Sequence, residues 1–212
     1  MTTPDYRRCL VDCGQTPGTS ARFSEFGANW SDSPAEDQIR IESWLASHLD
    51  NLAVLAEDAV LLHAGVKNSF FARWFCPLVR AVHGIASSPR EIVVARGLCL
   101  PNYQTWRVNK YHPQLLSWLD WVPYSFIVDN NLASYACCRR HFHSLLANYS
   151  LMLREDGAIL TDRAGLAHTP GDPNWNLSGE GVIEEVVAGF GLRATWETPD
   201  VCAIRKVASD GE

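Results

Sequence analysis

The sequence predicts an α/β fold: a mostly parallel seven-stranded sheet with an antiparallel last strand and helices on both faces. Three observations carry this. Short apolar runs, Ala59-Val60-Leu61-Leu62, Tyr124-Ser125-Phe126-Ile127-Val128 and Ala158-Ile159-Leu160-Thr161, have the continuous apolar character of strands covered on both sides. Stretches with apolar residues at three- and four-residue steps alternate with them. At the end, Leu192-Arg193-Ala194-Thr195-Trp196 and Val201-Cys202-Ala203-Ile204-Arg205 are separated only by 197–200, which is the spacing of an antiparallel hairpin.

The 212 residues, 47% of them hydrophobic, suffice for one substantial core. We expect a single domain over 30–208, an N-terminal extension or strap over 1–29 rich in Pro, Gly, Ser and Thr, and a disordered tail over 209–212. The net charge of -6 and the scattered Lys and Arg disfavour a nucleic-acid partner, which needs clustered basic side chains. Eight Trp and eight Phe suit a domain with an apolar pocket for a small molecule. No segment reaches the length of apolar chain that spans a membrane, and no leader is evident, so the expectation is a cytoplasmic protein without a membrane partner. A homodimer is left open. Of seven cysteines only Cys9 and Cys13 form a short-spaced pair, so reduced thiols and no metal site are expected.

In chain order, Ser33, Pro34, Glu36 and Asp37 mark a helix start, and Ile41, Trp44, Leu45, Leu49 and Leu52 give that helix one buried stripe. Trp30 at its foot reads either as a lid over a ligand or as a docking aromatic. The first strand then hands over, through His63-Ala64-Gly65-Val66-Lys67-Asn68-Ser69, to a helix expected from Phe70 to about Gly84. A second strand is expected at Glu91-Ile92-Val93-Val94-Ala95 and a third at Thr105-Trp106-Arg107-Val108, with a short or irregular connection over Pro113 to Leu119. After the fourth strand a helix is expected from about Ser134 to Leu153. The turn Arg154-Glu155-Asp156-Gly157 leads into the fifth strand. A long loop, Gly165 to Asn176, carries His168, Asp172 and Trp175, and a helix is expected around Gly179 to Ala188.

In open α/β sheets ligands sit at the carboxyl ends of the strands, so the turn after the first strand is the first candidate site. Gly65 admits a ligand to the backbone, but Lys67 stands where a G-x-G loop would have its second glycine; an ordinary tight turn fits as well as a cradle. Asp129, at the end of the fourth strand, reads either as a ligand contact or as a cap. Asp162-Arg163, at the end of the fifth, reads as a contact to a polar substrate group or as a structural ion pair. His141 and His143, two apart on a helix, point in different directions and make no joint metal site. Cys137 and Cys138 read as packing residues, and His63 as a satisfied core histidine.

This order of elements resembles the Rossmann-like fold of the class I S-adenosylmethionine-dependent methyltransferases over about Trp30 to Lys206. Three stretches carry the resemblance: 63–69 at the place of the glycine-rich cofactor loop, Phe126-Ile127-Val128-Asp129-Asn130-Asn131 at the fourth-strand motif, and 153–160 at the family's L-x-P-G-G-x-L turn. It implies S-adenosylmethionine as cofactor, with Gly65 along its methionine part, Lys67 and Asn68 in the same loop, Asn109 near the adenine amine, and Asp129 and Asn130 facing the reacting centre. If a base assists the transfer, Asp129, His141, His143 and His168 are the candidates, and Trp30, Asp162 and Arg163 read as candidate substrate contacts. Two departures accompany the resemblance: Lys67 replaces a small residue, and no ribose-binding acid stands at Ala95-Arg96, with Glu91 at the wrong end of the expected strand. The implied activity is methylation of an amine, hydroxyl or carboxylate on a small metabolite. The alternative is a protein of this fold without methyl transfer, serving as a metabolite- or partner-binding module or catalysing another reaction in the same cleft.

Overall fold

The computed structural model describes residues 36–51, 58–112, 115–119, 122–133, 136, 139–167, 176–179 and 181–207. The expected extension over 1–29, Trp30, the helix start at Ser33 and Pro34, Leu52, the four cysteines Cys9, Cys13, Cys137 and Cys138, the loop residues His168, Asp172 and Trp175, and the tail lie outside them.

Helix α1 (Glu36–Asn51) precedes strand β1 (Val60–Ala64), all five residues of which are buried. There follow α2 (Phe70–Phe75), β2 (Ala81–Ala86), α3 (Pro89–Gly97), β3 (Tyr103–Arg107), α4 (Leu115–Trp118), β4 (Tyr124–Val128), α5 (Arg139–Met152), β5 (Leu153–Asp162), α6 (Arg163–Ala167), α7 (Val182–Ala188), β6 (Leu192–Trp196) and β7 (Val201–Lys206). The sheet has seven strands in the order β3-β2-β1-β4-β5-β7-β6. β1 pairs in parallel with β2 and β4, and β4 with β5, whereas β7 runs antiparallel to both β5 and β6. β1 and β4 are therefore central strands, which is why their sequences are apolar without interruption.

The two faces of the sheet bury different side chains. Leu61, Val82, Phe126, Val128, Ala158 and Leu160 pack under Ile41, Trp44, Leu45 and Leu49 of α1 and Phe71 and Phe75 of α2. Leu62, Ile85, Ile127, Ile159 and Ile204 pack under Phe142, Leu145, Leu146 and Tyr149 of α5 and Ile183 and Val187 of α7. The stripe read from the sequence of α1 is thus the face it buries, at 0% exposure for Ile41 and Leu45.

Three expectations are corrected. The second strand is 81–86, not 91–95, and the helix after β1 ends at Phe75. Residues 91–95 belong to α3: Ser88 accepts the Glu91 N–H as N-cap and Pro89 takes the first turn, and these start signals override the β-branched run Ile92-Val93-Val94. Gly84 disguises the true strand, and only its neighbours explain it. A Cβ there would lie 2.6 Å from Val66 Cγ1 and 2.8 Å from the Tyr103 hydroxyl. Finally, the expected turn at 154–157 lies within β5, as an irregularity between the pairs Tyr124↔Leu153 and Phe126↔Ala158.

Candidate functional site

The strand order reverses between β1 and β4: the chain leaves β1 toward β2 and β3 on one side, then crosses back to β4 and β5 on the other. At such a switch point neighbouring connections diverge and open a crevice at the carboxyl ends of the strands. His63 pairs with Val128, so Gly65 and Asn130, each two residues further on, leave the sheet side by side into this crevice.

The turn after β1 is tightly coiled. Gly65, Lys67 and Ser69 have φ of 82°, 46° and 61°, three alternate residues in the left-handed region. Gly65 donates to the Ile85 carbonyl at 2.8 Å, and space is open where its Cβ would be. Lys67 therefore adopts a glycine-like backbone at the position where a G-x-G loop carries glycine, at a cost of about 1–2 kcal/mol for an L-residue. Asn68 lies half-buried in the same turn, and Ser69 is fully buried with its hydroxyl 3.3 Å from that of Tyr103.

Two acids approach this turn. The Lys67 N–H donates to Glu91 Oε2 at 2.8 Å, so the carboxylate of α3 is fixed to the loop. With 91–95 helical, Glu91 follows the second strand rather than opening it, and the reading that put it at the wrong end is corrected. Ala95-Arg96, deep in α3, is not a strand end. The second acid is Glu42 of α1, fully buried, with Oε1 accepting from Gln38 Nε2 at 2.7 Å. Burial pushes both carboxyls above the ordinary carboxylate range; the ammonium of Lys67 acts in the opposite direction on each. His63 is buried and stacked on Phe71, with ring centroids 4.4 Å apart, and its Nδ1 has no partner among the described residues. Burial, and secondarily Lys67, hold its pKa at about 3, so it is a neutral ring rather than the satisfied core histidine expected from the sequence.

At the end of β4, Asp129 is fully buried and its carboxylate is committed. Lys110 Nζ donates to both oxygens, at 2.7 and 2.8 Å, and to the Asn131 carbonyl at 2.6 Å. The Tyr149 hydroxyl of α5 donates to Asp129 Oδ2 at 3.0 Å. Lys110 also lies 4.9 Å from the centre of the Tyr111 ring, whose hydroxyl donates to the Leu132 carbonyl at 2.8 Å. Burial lowers the Lys110 ammonium against the pull of Asp129, and raises Tyr149 well above its ordinary value. Asp129 is thus the anchor of a network and not the free carboxylate a general base requires. Asn130, next in the chain, is 4% exposed, and among the described residues neither its Oδ1 nor its Nδ2 has a partner. A buried primary amide with no hydrogen bond is costly to keep, which makes Asn130 a candidate ligand contact. Asn109 lies half-buried just beyond β3, its Oδ1 accepting from the Tyr111 N–H at 3.0 Å.

Asp162 and Arg163 separate. Asp162 is buried, accepts the Gly165 N–H at 2.6 Å and lies 3.9 Å from Arg40. Arg163 donates to the carbonyls of Pro199 and Ser178, at 2.9 and 2.8 Å, and stacks over Trp196 at 4.1 Å. Both side chains thus hold contacts around α6 and the hairpin.

The sequence reading missed Lys110, Tyr149 and Glu42 and misplaced Glu91. For Glu42 a signal exists: Gln38 and Glu42 stand at the three- and four-residue steps of the buried stripe that Ile41, Leu45 and Leu49 define, polar residues at core positions.

No protein-family model and no curated protein matches this sequence. Solved structures do match. An amino pentose methyltransferase from Micromonospora echinaspora, bound to S-adenosylmethionine, superposes with a TM-score of 0.56 at 11% identity, over 91% of this chain and 99% of its own. The N-methyltransferase NodS from Bradyrhizobium japonicum gives 0.54 at 14% identity, over 79% and 96%. An rRNA methylase from Streptococcus thermophilus gives 0.53 at 14%, over 77% and 96%. The fold is that of the class I S-adenosylmethionine-dependent methyltransferases. In this methyltransferase fold the crevice between β1 and β4 is the one described above. Its polar groups are an open glycine turn, the buried amide of Asn130, unpartnered among the described residues, the carboxyls of Glu42 and Glu91 as acceptors, and Lys67 as a donor. Among the described residues no helix is long and apolar enough to cross a membrane, and no group of three or more His, Cys, Asp or Glu could hold a metal ion.

Proposed function

We propose that this protein is an S-adenosylmethionine-dependent methyltransferase acting on a small-molecule metabolite. The observation that carries the reading is the unpartnered buried amide of Asn130 beside the Gly65 turn at the β1/β4 switch point. The cofactor, when bound, supplies an activated methyl group on a positively charged sulfur. The protein's work is then chiefly positional, since in-line displacement depends on orientation more than on a dedicated base.

In this reading the Gly65 turn admits the cofactor to the backbone, Lys67 and Asn68 line its amino-acid end, and Asn109 lies toward the adenine. Glu91, fixed to the loop by the Lys67 N–H, takes the place of the ribose-binding acid. The network of Lys110, Asp129 and Tyr149 positions Asn130 at the reacting end. His168 and Trp30 remain candidates for the acceptor side. A metabolite is favoured over nucleic acid by the net charge of -6 without a basic cluster, and two of the three structures above are named for amino pentose or N-methyl transfer.

Calorimetric titration with S-adenosylmethionine and with S-adenosylhomocysteine tests the reading. We expect micromolar affinity for both, followed by methylated products when acceptors are screened by mass. A folded protein that binds neither up to millimolar concentration refutes it, and leaves the fold serving a different ligand in the same cleft.

A further inference from the structure

Glu42 and Lys67 present opposite charges at the β1 turn without forming a pair. Glu42 is 0% exposed; Gln38 satisfies Oε1, and Oε2 has no partner among the described residues. Ile41 and Leu45, on either side of Glu42 in α1, share one buried cluster with Phe71 and Phe75 of α2, the helix that follows the turn. Lys67 acts electrostatically on Glu42, Glu91 and His63, yet among the described residues it joins none of them in an ion pair. A buried carboxylate oxygen with no donor is expensive, and a core position on α1 filled by leucine would avoid the cost altogether. A ligand that brought a cation to Glu42 and an anion to Lys67 would satisfy both groups at once.

We propose that Glu42 and Lys67 form a clamp for a zwitterionic α-amino-acid group, Glu42 Oε2 accepting from its ammonium and Lys67 Nζ donating to its carboxylate. The proposal rests on the cofactor reading, because S-adenosylmethionine ends in such a group and the Gly65 turn is where its amino-acid end would lie. A free amino acid carries the same chemistry. The clamp makes the left-handed lysine intelligible. A glycine at this position would relieve the backbone but bring no charge to the turn, whereas Lys67 brings an ammonium next to an acid that α1 holds in place. Glu91 is assigned to the ribose in the cofactor reading, which leaves Glu42 as the acid for the ammonium, its Oε2 buried and without a partner among the described residues.

The test compares S-adenosylhomocysteine, 5′-methylthioadenosine, which has the same nucleoside and sulfur but no amino-acid group, and L-methionine. Each is titrated calorimetrically into the wild type, Glu42→Gln and Lys67→Asn. Glutamine keeps the hydrogen bond to Gln38, and asparagine tolerates the left-handed backbone, so both variants retain the fold. We expect each variant to lose about tenfold or more in affinity for S-adenosylhomocysteine, as loss of a charge-assisted hydrogen bond requires, and to bind 5′-methylthioadenosine as the wild type does. Unchanged S-adenosylhomocysteine affinity in Glu42→Gln overturns the clamp and leaves the cofactor reading standing, as does an equal loss for both nucleosides. A wild type that binds neither nucleoside but binds L-methionine, with loss in both variants, keeps the clamp for a free amino acid and refutes the cofactor reading. A wild type that binds none of the three overturns both.

Discussion

Gly165 is pressed against the backbone of Asn130: a Cβ at this glycine would lie 1.8 Å from the Asn130 carbonyl oxygen and 2.9 Å from Asp162 Oδ1. The Gly165 carbonyl in turn accepts the Ala133 N–H at 3.1 Å. The ends of β4 and β5 are thereby held together, and with them the orphaned amide. Gly165→Ala must push two backbone segments apart. We expect a loss of about 1–3 kcal/mol in urea unfolding, typical of overpacking, together with weaker binding of S-adenosylhomocysteine as Asn130 shifts. Wild-type stability in this variant would show that the ends of β4 and β5 yield freely.

Lys110→Met removes the ammonium that compensates the buried Asp129 carboxylate. Breaking one side of a buried pair costs about 3–5 kcal/mol, and a double-mutant cycle with Asp129→Asn should recover a substantial part of it. Chemical denaturation of the four proteins measures the coupling. Additive losses would mean that the two residues stabilise the chain independently.

Lys67→Gly separates stability from binding. Relief of φ 46° should stabilise the protein by up to about 1 kcal/mol, the left-handed penalty being partly offset by the greater freedom of glycine in the unfolded chain. The same change should lower the affinity for S-adenosylhomocysteine. Thermal unfolding and calorimetry on one preparation decide; a gain in affinity would show the lysine to be an obstruction in the loop rather than a contact.

His63 gives the protein an acid-sensitive component. Its folded pKa, about 3, lies below the ordinary 6.5, so between those values the unfolded chain takes up a proton that the folded chain refuses. This contribution to stability is complete above about pH 6.5 and is lost as the pH falls, at up to about 1.4 kcal/mol per unit. Glu42 and Glu91, with raised values, work in the opposite sense, favouring the folded state as pH falls through their range. Urea unfolding of the wild type and of His63→Phe at pH 7 and pH 5 isolates the histidine. The variant should lose less stability on acidification, and an identical pH dependence would contradict the assignment.

The sequence alone determined those parts of the protein whose signals are local. β1, β4 and the hairpin β6 and β7 are legible because a strand covered on both faces must be apolar throughout and a four-residue link between two strands forces them to pair. The stripe of α1, Gly65 at the turn and the positions of Asp129 and Asn130 were equally visible. What tertiary structure decided is β2 and the state of every charge in the crevice. β2 contains a glycine and a histidine, so no periodicity marks it; Gly84 is there because Val66 and Tyr103 fill the space of its side chain, and both come from elsewhere in the chain. Asp129 reads as a ligand contact or a cap until Lys110 and Tyr149, 19 and 20 residues away, are brought to it. Glu42 reads as one polar residue on a helix until the fold buries it within electrostatic reach of Lys67. Backbone pattern is written in neighbours along the chain, but the protonation and partnership of a buried group depend on which distant side chains the fold places within a few ångströms of it.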